Sequence, residues 1–273
     1  MTSSMLGRMG TWLGGIALSV LAWAIYIFLV VPSLLVIPMS FGGRDELTFP
    51  PTSFSFYLYG RFFDSPVWTG ALSESLIVAT LSACIATVLG TSAVYGLLRG
   101  KFRGQEVIAF VLMSPMLFPA IIVALGTYLY FAQLGLSGTT AGLVLAHSTL
   151  TLPFVMVTTA AGMRQIDPNV ELAADTMGAS RLRVFLKVVV PQIIPSIVSG
   201  ALFAFLISFD EVVIAWFIAG TGATTLPVTM YSSLKMEVSP IIAASATMLS
   251  VASVSICVVS AMLRKPGHDA VAH

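Results

Sequence analysis

Residues 107–163 carry no Asp, Glu, Lys or Arg. A membrane-spanning helix needs roughly 20 apolar residues, so this stretch is too long for one span and suits two. The run Gly135-Leu136-Ser137-Gly138 supplies the break between them. A chain organised around such a segment must satisfy its backbone hydrogen bonds internally, because lipid offers none. Hydrophobic residues make up 57% of the chain and charged ones 9%, where a soluble domain has about a quarter charged. An integral, all-α membrane protein is the expected class.

The gaps between charges place the other spans. Residues 9–43 hold the first; its apolar stretch 12–31 follows Arg8, and no small-x-small cleavage pattern follows it. It reads as an uncleaved helix rather than a signal peptide. Residues 75–98, entered at Glu74 and left at Arg99, give the second span, 188–209 the fifth and 238–263 the sixth. Residues 212–234 are apolar through Ala219 and then read GTGATTLPVTMYSS, which predicts loop. Six transmembrane helices put both termini on one side of the membrane. Ten Lys and Arg fall on that side (Arg8, Arg99, Lys101, Arg103, Arg164, Arg181, Arg183, Lys187, Arg264 and Lys265), against Arg44, Arg61 and Lys235 on the other. This bias predicts cytoplasmic termini and an acidic outer face. Three regions follow: a first helix and extracytoplasmic loop over 1–70, a five-helix core over 71–263, and a cytoplasmic tail over 264–273.

The charged segment 167–191, DPNVELAADTMGASRLRVFLKVVVP, stands apart from these spans. Asp167 is placed to cap a helix beginning at Pro168, where a missing N–H costs nothing. That helix should halt at Gly178-Ala179-Ser180, with Ser180 capping a second short helix that ends at Pro191, where the fifth span begins. The pair exposes apolar Met177, Leu182 and Phe185 beside Arg181 and Arg183. By charge pattern alone, two readings fit: a docking surface for a partner, or an amphipathic hairpin lying on anionic lipid.

Asp210 and Glu211 lie about 33 Å along a helix counted from Val188, at the outer edge of the hydrocarbon. Carboxylates at that depth line a solute pathway or cap helix ends, and adjacent residues on a helix point different ways. Trp216 offers its ring for cation–π capture of an amine or for packing. His147 suits a buried histidine bonded to a neighbouring helix, or a proton relay. Cys84 and Cys257 read as small core residues, and Tyr57, Tyr59 and Trp68 as an outer interfacial belt. The loop 41–65, with Gly42-Gly43-Arg44-Asp45-Glu46, is a candidate contact for an external protein. No G-x-x-x-x-G-K-[ST] occurs; Gly96-Leu97-Leu98-Arg99-Gly100-Lys101-Phe102 is one residue short and lacks the hydroxyl. The three His are scattered, and no nucleophile–base pair is visible. The chain should therefore be no enzyme and bind neither ATP, metal nor nucleic acid by itself.

Ala173-Ala174, Gly178 and Val188-Val189-Val190-Pro191 resemble the cytoplasmic EAA…G…I-x-L-P signature of binding-protein-dependent ABC importer permeases. The signature glutamate falls on Leu172, while this chain has Glu171 one position earlier, about 100° around the helix. Ser208-Phe209-Asp210-Glu211-Val212, Thr225-Leu226-Pro227, Tyr231-Ser232-Ser233-Leu234 and Ser239-Pro240 resemble the second permease subunit of spermidine/putrescine-type importers. The resemblance implies a type I, MetI-like permease core in the inner membrane. It also implies a cytoplasmic ABC ATPase dimer that binds the ATP, a second homologous permease and an extracytoplasmic solute-binding protein. Its coupling helices would occupy 167–187, with Glu171, Ala173, Ala174, Gly178, Ala179, Arg181, Phe185 and Pro191 at the ATPase contact and Asp210, Glu211 and Trp216 on the pathway. On this reading Gly178→Asp clashes at the tight turn and abolishes the stimulated ATP hydrolysis. The implied cargo is a polyamine or a similar small cation, with an opine, an amino-acid derivative or a ferric complex as alternatives. A stand-alone secondary transporter would leave the helix pair without a task.

Overall fold

The computed structural model describes residues 2–43, 47–220, 222–236 and 239–263. Arg44-Asp45-Glu46, the tail 264–273 with His268 and His273, and the charges they carry lie outside the described residues. The chain forms two compact units, 1–64 with 238–250, and 65–237 with 251–273.

In the first unit, α1 (Thr2–Met39) is followed by a short α2 (Tyr57–Asp64). From Leu18 to Leu35 the α1 side chains are exposed, Trp23, Tyr26 and Phe28 among them, so this helix offers its apolar surface to lipid or to a partner chain. Beyond it, Phe41, Phe56 and Tyr59 form an aromatic cluster with centroids 5.3–6.0 Å apart, and Ser40 Oγ bonds Tyr59 Oη at 2.8 Å.

The second unit contains α3 (Pro66–Arg99), α4 (Gln105–Leu117), α5 (Ala120–Gln133), α6 (Thr140–Met163), α7 (Pro168–Thr176), α8 (Arg181–Val184), a π-turn (Phe185–Val189), α9 (Val190–Phe209), α10 (Val213–Ile218) and α11 (Leu226–Met236). The last helix, α12 (Ile241–Leu263), has its first half to Ser250 in the first unit and the rest in the second. Among the described residues, five helices are long and apolar enough to cross a membrane, and there are six spans if the bent pair α4–α5 counts as one.

The core of the second unit is the packing of α3, α6 and α9 upon one another. Lipid is as apolar as leucine, so close backbone approach rather than the hydrophobic effect holds such helices together. A Cβ added to Gly90 on α3 would sit 3.0 Å from Val155 Cγ1 on α6, and one on Gly162 or Gly200 would run into the Ser196 or Thr158 side chain. Around this crossing lie Ala83, Ala86, Val155 and Ala204. Gly90→Leu is therefore expected to force α3 and α6 apart, costing about 1–3 kcal/mol of overpacking. A fall of several degrees in the melting temperature of the detergent-solubilised protein would register it.

The structure corrects several sequence expectations. The segment 107–163 does break at 135–138, but its first half is bent again by 109° between α4 and α5. The cause is Pro119, which drives Phe118 to φ −94°, ψ 147° and out of the helical region. Residues 226–236 are helical, not loop: Pro227 suits a first turn, Leu226 N–H donates to Ser75 Oγ at 2.8 Å, and Leu226 and Val228 are buried. Ser180 occupies the cap position of α8 without a side-chain bond, and α8 continues through the π-turn into α9 as one 29-residue rod, Arg181–Phe209. Pro191 has no N–H and would crowd the carbonyl four residues back; the wider π-turn just before it lets the helix pass. Cys84 and Cys257 are free and exposed, on outward faces of α3 and α12. Trp68 is buried in the first turn of α3 instead of standing at an interface.

Candidate coupling and pathway sites

At one end of the second unit gather Arg99, Lys101 and Arg181 from α3, the following loop and α8. Asp167 caps α7, its Oδ1 accepting from Asn169 N–H at 2.9 Å. The helix ends in a Schellman turn: Ala179 N–H donates to Ala174 O at 3.2 Å and Gly178 N–H to Asp175 O at 2.9 Å, with Gly178 at φ +81°. Nothing lies within 4 Å of a Cβ built on Gly178, so the expected clash does not exist. The constraint is the left-handed backbone itself.

The faces of the helix pair are sharply divided. Leu172, Ala173, Met177, Leu182 and Leu186 are exposed, Met177 at 82%. Arg181, Arg183 and Pro191 are exposed as well. Turned inward are Ala174 and Val184, in a core with Val94, Met156, Met163, Ile166, Val189 and Ile193, and beside them the half-buried Ala179. Glu171 and Phe185 also point inward. Glu171 meets Arg99 at 2.7 Å, and the Phe185 ring lies 4.6 Å from that of Tyr95. Shifting the carboxylate by one residue from the signature position thus leaves apolar Leu172 on the open face and places the charge inside.

The rod Arg181–Phe209 is about 42 Å long, and its far end is the acidic pair. Asp210 closes α9 and is exposed on an open groove of about 420 Å³ with Leu206, Ile207 and Ser253. Glu211 does something different. Its two oxygens each accept a backbone N–H, Ile214 and Ala215 at 2.8 Å, so it caps α10. Partial burial pushes both carboxyls up from their ordinary values, and in Glu211 the backbone N–H groups oppose the rise. The fully buried His147 of α6 joins this junction, its Nδ1 2.8 Å from Ser208 Oγ and its Nε2 3.7 Å from Glu211 Oε2. The histidine bonded to a neighbouring helix is what the structure contains.

Trp216 is exposed and meets Tyr231 edge-to-face at 5.0 Å, and the Lys235 ammonium stands 4.6 Å from the Tyr231 centroid and 5.9 Å from that of Trp216. This geometry suits an alkylammonium, and one from the chain itself is there. Sequence reading noted Arg99 and Lys235 only as charges. Arg99 and its partner Glu171 lie 72 positions apart, so only the folded chain reveals their pairing.

A polytopic bundle with a charged helix pair continuous with one of its spans defines a membrane permease. The chain belongs to the family of binding-protein-dependent transport system inner membrane components, which matches residues 86–265, and it is a multi-pass inner-membrane protein. It is 37% identical over 231 residues to the putrescine transport system permease protein PotI of Escherichia coli K12, covering 82% of each chain. It is 32% identical over 247 residues to the spermidine/putrescine transport system permease protein PotC of Haemophilus influenzae, covering 90% of this chain and 96% of the relative. Among solved structures, a bacterial ABC transporter involved in import of the acidic polysaccharide alginate superposes with a TM-score of 0.69 at 16% identity, covering 93% and 96% of the two chains. The MetNI methionine ABC transporter superposes at 0.59 with 16% identity, covering 72% of this chain and 94% of the other. These likenesses establish the MetI-like permease fold.

Proposed function

We propose that this chain is the second permease subunit of an ATP-driven polyamine importer. In it, α7 and α8 dock on a cytoplasmic ABC ATPase dimer, a second permease completes the pore, and an extracytoplasmic binding protein delivers putrescine or spermidine. Both termini then face the cytoplasm, an orientation supported by the distribution of Lys and Arg. The observation that carries the reading is the exposed apolar stripe Leu172, Met177 and Leu182 on a helix pair whose second helix runs without interruption into a membrane span. A hairpin resting on lipid has no need of that continuity, whereas a lever does. ATPase closure displaces Ala173, Gly178 and Arg181 at the contact, and the rod carries the motion to its break at Asp210. There the Glu211 cap and the His147–Ser208 bond set the position of α10.

The polyamine assignment is supported by the PotI and PotC relatives and by the exposed carboxylate of Asp210 at the rod's outer end. A trehalose transport system permease protein, SugB of Mycobacterium tuberculosis, is 29% identical over 66% of this chain, so the frame itself does not select the cargo. In proteoliposomes holding the four-component complex, labelled putrescine uptake should require ATP and binding protein and be competed by spermidine. A cysteine placed at Met177 should cross-link to the ATPase. Gradient-driven uptake by this chain alone, without nucleotide, would overturn the reading.

A further inference from the structure

The ion pair between α3 and α7, Arg99 with Glu171, lies apart from the exposed docking stripe and from the rod. Arg99 is the last residue of α3, and its Nε and Nη2 lie 2.8 and 2.7 Å from the same oxygen, Glu171 Oε1. Nη2 also approaches Met163 O, at the end of α6, at 3.5 Å. One turn earlier on the same face of α3, the Tyr95 ring meets Phe185, the first residue of the π-turn, at 4.6 Å. One face of α3 therefore grips both halves of the coupling segment, α7 through a charge-assisted bond and the start of the rod through an aromatic contact. Only 12% of the Glu171 side chain and 26% of the Arg99 side chain are exposed, so bulk salt screens the pair weakly.

We infer that Arg99, through Glu171, is a positioning residue that makes α3 a second output of the coupling helices, so that ATPase motion drives α3 together with α9. The inference rests on the docking reading above. Without the clasp, α7 and α3 would be related through the apolar cluster that contains Val94 and Ala174. That cluster keeps the chain folded but lets α7 slide when pushed, because apolar contact has no preferred direction. The one-residue displacement of the acid from the signature position gains a purpose here: the carboxylate faces α3, and the docking face is left to Leu172.

The test uses the reconstituted four-component complex, with ATP hydrolysis and putrescine uptake measured on the same vesicles. Arg99→Gln and Glu171→Gln are each expected to lower uptake per ATP hydrolysed about fivefold or more, while cross-linking of a Met177→Cys reporter to the ATPase persists. Arg99→Glu combined with Glu171→Arg is expected to restore most of the ratio, which loss of general stability would not allow. An unchanged ratio in both single variants, or a deficit that the reversal leaves untouched, overturns the clasp with docking intact. Absence of the Met177 cross-link in the otherwise unmodified complex overturns docking and the clasp together.

Discussion

Gly178→Val is expected to leave the importer in the membrane yet abolish the ATP hydrolysis that loaded binding protein stimulates, by about tenfold or more. The Schellman turn needs φ +81° at this position. For a residue with a Cβ the left-handed region costs about 1–2 kcal/mol, and a β-branched residue is a genuine outlier there. The turn then opens, Ala179 loses its bond to Ala174, and the angle between α7 and α8 is no longer fixed. A partner groove shaped for Leu172, Met177 and Leu182 together would meet them out of register. Gly178→Asn is the control: asparagine tolerates the left-handed region and should retain most of the stimulation. Asp tolerates it too, so Gly178→Asp acts mildly where a clash would have made it severe. If the Val variant hydrolyses ATP at the normal stimulated rate, the turn angle does not matter and the lever account loses its hinge.

Much of this architecture is legible in the sequence because lipid simplifies the problem. A segment such as 107–163 with no charge has few places to go, and the Asp167-Pro168 and Gly178 signals describe a capped helix and its stop in purely local terms. What could not be read depends on contacts between distant segments. Pro119 sits in an apolar run like Pro115 and Pro153, both of which lie inside helices, and only tertiary packing decides which proline bends the chain. The helix at 226–236 is pinned by Ser75, 151 positions away. Likewise the two roles of the acidic pair differ because α10 starts just after Glu211 and takes up its carboxylate, leaving Asp210 facing the groove. A reading by residue type treats the two as equivalent; backbone N–H groups distinguish them.

That distinction yields the second strong prediction. Asp210→Asn is expected to raise the KM for putrescine uptake about tenfold with the complex fully assembled. Asp210 makes no side-chain hydrogen bond or ion pair among the described residues, so an isosteric neutral group there removes charge and little else. The attraction between a carboxylate and an ammonium a few ångströms away, in the intermediate dielectric of a half-open groove, amounts to roughly 1–4 kcal/mol, and each 1.4 kcal/mol is tenfold in affinity. Because the carboxylate is exposed, raising ionic strength should erode the advantage of the unmodified protein and bring the two KM values together. Glu211→Gln should behave otherwise. A glutamine oxygen still accepts one of the two N–H groups but leaves the other unbonded, so the α10 cap weakens and the maximal rate falls before KM changes. Equal KM values for Asp210→Asn and the unmodified chain, at low salt, would remove Asp210 from the solute's path while leaving the coupling lever untouched.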